Sequence, residues 1–184
     1  MPFTLGSKDV ETKLLILYLI NRMELSMSRA QITDCVMSKE IMNYFDLEQT
    51  LSLLIEQGML DATHENAQDA NTTRYAMTNE GHRSLEYLEN HIPRTLRLLI
   101  NQYVEENRGK VKRDYEITAT YFPSVETDDF QVKCGVYEDK RALMELTVSV
   151  DTREQAKLIQ NSWRGNASGL YQKILEALIT APQG

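Results

Sequence analysis

Residues 46–81, DLEQTLSLLIEQGMLDATHENAQDANTTRYAMTNEG, decide the fold of this 184-residue chain. Before Gly58 the apolar residues recur at helical spacing, at Leu47, Leu51, Leu54 and Ile55. After Gly58, residues 59–64 and 72–78 have strand-like composition and are separated by a polar, turn-forming segment, 65–71. The stretch therefore predicts a helix that ends at Gly58, where glycine readily adopts the conformation that closes a helix, followed by a β-hairpin.

Capping residues divide the rest of the N-terminal half into helices. A Ser, Thr, Asp or Asn at a helix start accepts a hydrogen bond from the following turn, and a Gln or Glu three residues later completes a capping box. Residues 28–31, SRAQ, and 46–49, DLEQ, have this pattern. The predicted helices begin at Ser7, Ser28, Asp46, Thr78 or Asn79, and Pro93. The first, fourth and fifth are expected to run to about Met23, His91 and Asn107.

Three helices, a two-stranded wing and a further helix follow one another in the order of a winged helix-turn-helix domain. Residues 54–60, LIEQGML, resemble the end of a recognition helix that enters the wing. Residues 75–81, YAMTNEG, resemble the exit from the wing into the next helix in PadR-like and MarR-like regulators. With residues 43–54 and 91–97, the resemblance extends over nearly the whole chain to an uncharacterised family of predicted winged-helix transcriptional regulators, itself a domain of unknown function. This resemblance implies a cytoplasmic regulator and supplies no assigned site.

The C-terminal half has the two-residue period of β-strands. Apolar and polar residues alternate over 115–121, 130–136 and 142–150. This alternation predicts a three-stranded meander with one apolar face, which needs a cover. A capping box at 152–155, TREQ, opens the helices that are expected to cover it, with a break at Gly165 before the last helix.

The predicted fold class is α+β, with an N-terminal winged helix-turn-helix followed by a three-stranded antiparallel meander that C-terminal helices cover. We assign residues 1–108 to the winged helix-turn-helix domain with its flanking helices, and residues 109–184 to a small α+β domain. The basic run 108–113, RGKVKR, is expected to be a solvated connecting loop, and contact with phosphate or an acidic partner is the alternative.

The charge distribution opposes the function that the predicted fold suggests. The chain carries 20 Lys and Arg against 27 Asp and Glu, a formal charge of −7. Residues 1–90 contain 7 basic and 14 acidic residues, whereas residues 91–184 contain 13 of each. All of the excess negative charge therefore lies in the half that resembles a DNA-binding domain, where it repels phosphate on average.

A DNA-binding surface is nevertheless predicted on the third helix and the wing. Gln pairs bidentately with adenine, and Ser contacts a base or a phosphate. The residues expected to lie on the exposed face of the third helix are Tyr44, Glu48, Gln49 and Ser52. The residues expected near the DNA backbone, at the start of the second helix, in the turn and on the wing, are Arg29, Lys39, Asn71 and Arg74.

The sequence favours two kinds of partner besides DNA. Helices one, four and five carry more apolar surface than a domain of about 100 residues usually buries, which predicts a homodimer through them. The third helix contains Asp46, Glu48 and Glu56 but no Lys or Arg, which favours the alternative of a protein-binding module that keeps the winged-helix fold. The C-terminal half is open to three roles: binding a small effector, dimerisation, or recruitment of another protein.

No pattern in the sequence points to a membrane or to catalysis. The longest apolar run, residues 14–20, has seven residues, against the roughly 20 that a spanning helix needs. The start of the chain lacks the features of a secretory signal, so the protein is expected to be cytoplasmic. Cys35 and Cys134 are expected to be buried free thiols. Because no catalytic, metal-binding or dinucleotide motif occurs, we expect neither enzymatic activity nor a cofactor.

Overall fold

The computed structural model describes residues 8–64, 73–125, 127–138 and 141–180. Its helices and strands are, in chain order, α1 (Lys8–Met23), β1 (Met27–Ser28), α2 (Arg29–Ser38), α3 (Tyr44–Glu56), β2 (Leu60–His64), β3 (Thr73–Met77), α4 (Asn79–Leu88), α5 (Arg94–Glu116), β4 (Ile117–Pro123), β5 (Phe130–Glu138), β6 (Arg141–Val150) and α6 (Arg153–Ile179). The predicted α+β class is confirmed.

The chain forms two compact units, Met1–Val111 and Lys112–Gly184. The first contains α1 to α4 with a three-stranded antiparallel sheet of order β1-β3-β2. The second contains a three-stranded antiparallel meander of order β4-β5-β6, packed against α6. The boundary between the units falls within α5.

Local hydrogen bonds set the ends of α2 and α3. The Ser28 hydroxyl accepts from the Gln31 backbone at 3.2 Å, and the Gln31 side chain accepts from the Ser28 backbone at 2.9 Å, so the predicted capping box is confirmed. The predicted cap of α3 at Asp46 is wrong. Asn43 caps this helix by accepting from the Asp46 backbone at 2.8 Å, and Asp46 lies in the first turn. At the other end, Gly58 follows the helix with a φ of 67°, as its glycine predicted.

A strand that the sequence did not predict joins α2 to the hairpin of β2 and β3, which was predicted to be a wing. β1 consists of only two residues, and it pairs with β3 so that Met27 lies opposite Tyr75 and Ser28 lies opposite Arg74. Two residues are too few to show a period, so only the tertiary structure reveals this pairing. As a result, the N-terminus of α2 starts beside the wing.

α1 is the centre of the core of the first unit. Residues 14–20 are all buried, with at most 4% of any residue exposed. α3, α4 and β3 of the same chain pack against this helix. α1 is thus covered within its own chain, and the homodimer through helices one, four and five stays a prediction. Exposed large apolar side chains remain on α4 and α5, at Tyr87 and Leu98.

α5 extends well beyond the predicted end at Asn107. It includes the basic run 108–113, so the expectation of a connecting loop there is wrong. Val111 explains the continuation, because it is buried in the same core as Ile100 and Val104 and thus keeps one apolar stripe through a polar run. Arg108 in this run forms an ion pair with Glu24.

α6 is one continuous helix, so the predicted break at Gly165 is wrong. A Cβ atom at Gly165 would meet no other atom within 4 Å, so packing does not require a glycine at this position. A helical glycine costs only about 1 kcal/mol relative to alanine. The helix is held on the sheet by Ala156, Trp163 and Ala167, which are buried against β4 and β5 on both sides of that position.

Gly135 of β5 is tightly packed. A Cβ atom there would lie 2.4 Å from the Tyr137 ring and 2.8 Å from the Thr118 hydroxyl. Its carbonyl accepts a hydrogen bond from the Trp163 indole at 3.3 Å. Glycine is therefore required at this position by the close approach of its neighbours.

The two cysteines, Cys35 and Cys134, are buried free thiols, as predicted. Burial raises the pKa of the Cys35 thiol to about 12, so it is not a reactive thiolate at neutral pH. Within the parts of the chain that the structure describes, no helix combines the length and the apolar character needed to cross a bilayer.

Candidate nucleic-acid interface

The four residues predicted to read DNA lie on one side of α3. Tyr44, Glu48, Gln49 and Ser52 span roughly 140° of the helix circumference at about 100° per residue. Tyr44, Gln49 and Ser52 are exposed, whereas Glu48 is partly buried. The Ser52 hydroxyl donates to the Glu48 carbonyl of the same helix at 3.0 Å. The structure thus brings the predicted residues of α3 together on one surface, with one of the four withdrawn from solvent.

Phe45 also belongs to this surface and was missed by the sequence reasoning. Its side chain lies on the first turn of α3 and is 76% exposed. It precedes Gln49 and Ser52 by four and seven residues, so it lies on the same face. A helix that begins at Asp46, as predicted, leaves Phe45 in the preceding turn. Recognition of Asn43 as the cap would have placed it on the helix.

Glu48 forms an ion pair with Arg29, the first residue of α2. One guanidinium nitrogen lies 3.2 Å from the carboxylate, and the side chains of Arg29 and Glu48 are 24% and 28% exposed. Arg29 Nε also donates to the Tyr75 hydroxyl at 3.2 Å. Burial opposes the charge of the guanidinium, but the bond to Tyr75 and the charge of Glu48 outweigh it and raise the Arg29 pKa. Arg29 is therefore a charged residue that Glu48 largely neutralises.

Arg74 lies on β3, the strand that pairs with β1, one residue before Tyr75. Ser28, which precedes Arg29, lies directly opposite Arg74 in the sheet. Arg74 donates to the Ser26 carbonyl at 3.2 Å. We call Arg29, Glu48, Arg74 and Tyr75 the wing-base cluster, since they join α2, α3 and the wing. The strand β1 that creates this cluster has no counterpart in the sequence pattern.

Lys39 lies apart from the wing-base cluster. It follows the last residue of α2, about 15 Å along the helix from Arg29. Its ammonium group lies 3.4 Å from the Glu106 carboxylate of α5. Hydrogen bonds from Gln102 and from Lys39 lower the pKa of Glu106, so the pair is charged at neutral pH. The predicted Asn71 lies outside the residues that the structure describes.

Open grooves flank both sides of the exposed face of α3. On the α2 side, Tyr44 lines a groove of about 430 Å³ together with Thr33, Asp34 and Met37. On the α1 side, Gln49 lines a small cleft of about 30 Å³ that also includes Lys13. Two predicted residues thus lie on opposite edges of the face.

A comparison with known proteins identifies the family of the chain. Residues 12–178 match the family model described as Domain of unknown function (DUF4364). The protein belongs to the DUF4364 family. No curated protein and no solved structure matches the chain. The family description names no ligand, so a role for this DUF4364 domain has to be argued from its geometry.

In this DUF4364 protein the groups that can read bases are separate from those that can bind phosphate. The exposed face of α3 offers an amide, a hydroxyl and two aromatic rings, which can pair with or contact base edges. The three cations predicted to bind phosphate, Arg29, Lys39 and Arg74, all have partners within the chain. A phosphate must compete with those partners for each cation.

Proposed function

We propose that this protein is a cytoplasmic DNA-binding regulator of the winged-helix type. α3 would enter the major groove, with the wing on the adjacent backbone. The observation that carries the proposal is the single exposed face of α3 with Tyr44, Phe45, Gln49 and Ser52, which lies beside the wing-base cluster. The resemblance to PadR-like and MarR-like regulators supports it at the level of the fold.

Each residue in this mode has a distinct chemical role. The Gln49 amide pairs with an adenine, and Phe45 contacts the methyl group of a thymine. Arg74 contacts a phosphate at the wing, where it positions the protein without reading sequence. Arg29 would supply a second phosphate contact only once its pairing with Glu48 is lost.

Selection of bound fragments from a random duplex pool at low salt, followed by fluorescence anisotropy, tests this proposal. Gln49→Ala should lose about 1 to 3 kcal/mol of preference at one base position. Arg74→Ala should weaken binding to every sequence and reduce the salt dependence by about one phosphate contact. The matched controls Gln172→Ala and Lys173→Ala change exposed residues of α6, and both should leave binding unchanged. Absence of duplex affinity at low salt would refute the proposal.

The alternative is a winged-helix module that binds another protein and no DNA. Two observations favour it: the predicted phosphate-binding cations have internal partners, and Met37, Tyr44 and Phe45 expose apolar surface beside the groove between α2 and α3. Apolar and aromatic side chains are enriched in protein interfaces. Under this alternative, duplexes of all sequences fail to bind even at low salt, and Phe45→Ala abolishes capture of the protein partner.

A further inference from the structure

α6 is longer than the sheet on which it packs. Its 27 residues extend about 40 Å, whereas the seven residues of β4 extend about 23 Å. The last α6 side chain packed into the core of this unit is Tyr171. Beyond it, Leu178 and Ile179 are 70% and 80% exposed. The final turns of α6 therefore carry apolar side chains that this unit leaves uncovered.

The same unit has an apolar groove between α6 and its edge strand. α6 packs mainly on β4 and β5, which leaves β6 only partly covered. Leu146 of β6 pairs with the buried Cys134 and so faces the helix, yet it is 38% exposed. The groove has a volume of about 440 Å³, and its wall includes Leu158, which is 69% exposed. No charged residue lines it among the parts of the chain that are described, so a suitable occupant is apolar.

We infer that this groove binds the C-terminal end of α6 from a second copy of the chain. The same helix cannot fill the groove, because Leu158, Leu170 and Ile174 of α6 form part of its wall. One chain carries both the apolar helix end and the apolar groove, so two copies related by a twofold axis satisfy both surfaces at once. This dimer uses the second unit, not the surface that was predicted on helices one, four and five.

The size of the contact is close to the minimum for a specific dimer. About ten residues of helix, some 15 Å long and about 10 Å across, pack along each open groove, and a twofold axis makes this contact occur twice. Together the two contacts bury on the order of 1,000 Å², which reaches the lower end of specific interfaces.

Sedimentation equilibrium of the full chain at tens of micromolar tests the inference. The unchanged protein should have the mass of a dimer, and Leu178→Ser should weaken the dimer by at least about tenfold. The matched control is Leu98→Ser, which replaces an exposed leucine of α5 and should leave the dimer intact. A monomeric mass for the unchanged protein, or dissociation caused by Leu98→Ser but not by Leu178→Ser, overturns the inference.

Disulfide trapping locates the contact without relying on a destabilised variant. One chain carries Leu158→Cys and another carries Leu178→Cys, and the two native cysteines are buried. Oxidation of the mixture should link the two chains, whereas replacing the second chain by Tyr87→Cys, an exposed position on α4, should link none. Equal linkage in both mixtures, or none in either, contradicts the arrangement.

Discussion

Substitution of Glu48 by glutamine should strengthen DNA binding. In the wing-base cluster Glu48 neutralises Arg29, whose guanidinium lies 3.2 Å from the carboxylate. Glutamine has the same shape and lacks the charge, so Arg29 becomes available to a phosphate. The substitution also removes one negative charge from the face of α3 that would approach DNA. Both effects strengthen the binding of DNA.

The magnitude follows from the geometry of the pair. For two unit charges 3.2 Å apart, Coulomb's law gives an attraction of about 1.3 kcal/mol in water and about 5 kcal/mol at an effective dielectric constant of 20. Because both side chains are about a quarter exposed and must be ordered to pair, a net value of about 1 kcal/mol is appropriate. Because the substitution also removes the repulsion between Glu48 and phosphate, the binding free energy improves by about 1 to 2 kcal/mol in total. This corresponds to roughly 5- to 30-fold higher affinity.

Anisotropy titrations of one duplex at several salt concentrations measure this gain. Glu48→Gln should bind more tightly, and its salt dependence should steepen by about 0.9 in the logarithmic slope, because one more phosphate is contacted. Glu56→Gln is the matched control, with the same change of charge about 12 Å further along α3. If both variants bind alike, net charge accounts for the effect and the specific role of the Arg29–Glu48 pair is refuted.

Two further predictions concern stability. Gly135→Ala should lower the free energy of unfolding by about 1 to 3 kcal/mol, because its Cβ would meet the ring of a tyrosine. Gly165→Ala, at an open position in a helix, should raise the free energy of unfolding by about 0.5 to 1 kcal/mol. Thermal melts compare the two variants, and equal effects would contradict the difference in packing. Hydrogen bonds from Gln102 and Lys39 lower the pKa of Glu106, so its contribution to stability is present above its ordinary pKa of 4.5 and is lost as the pH falls through the folded value. Denaturant unfolding should therefore show Glu106→Gln less stable than the unchanged protein at pH 7 and equal to it in acid, and a constant difference would exclude this cause.

Local capping and alternation predicted much of the fold. Ser28, Thr78 and Thr152 cap helices through hydrogen bonds within three residues, so their sequence neighbourhood suffices to identify them. Two of the errors occurred where burial outweighed local preference. α5 continues through its basic run because Val111 is buried, and α6 continues through Gly165 because residues on both sides of it pack on the sheet.

Apart from Phe45, the exposed residues of the α3 face follow from the sequence, whereas the electrostatics of the candidate site do not. The spacing of Tyr44, Gln49 and Ser52 on a helix follows from the chain itself, and so does the excess of negative charge in the first half. The pairing of Glu48 with Arg29 depends on two helices and a two-residue strand that the sequence does not reveal. Local hydrogen bonds and side-chain periods are properties of neighbouring residues, so the sequence alone determined most of the helices and strands and the faces that they bury. The partners of the cations are set by contacts between distant segments, and only the tertiary structure decided those.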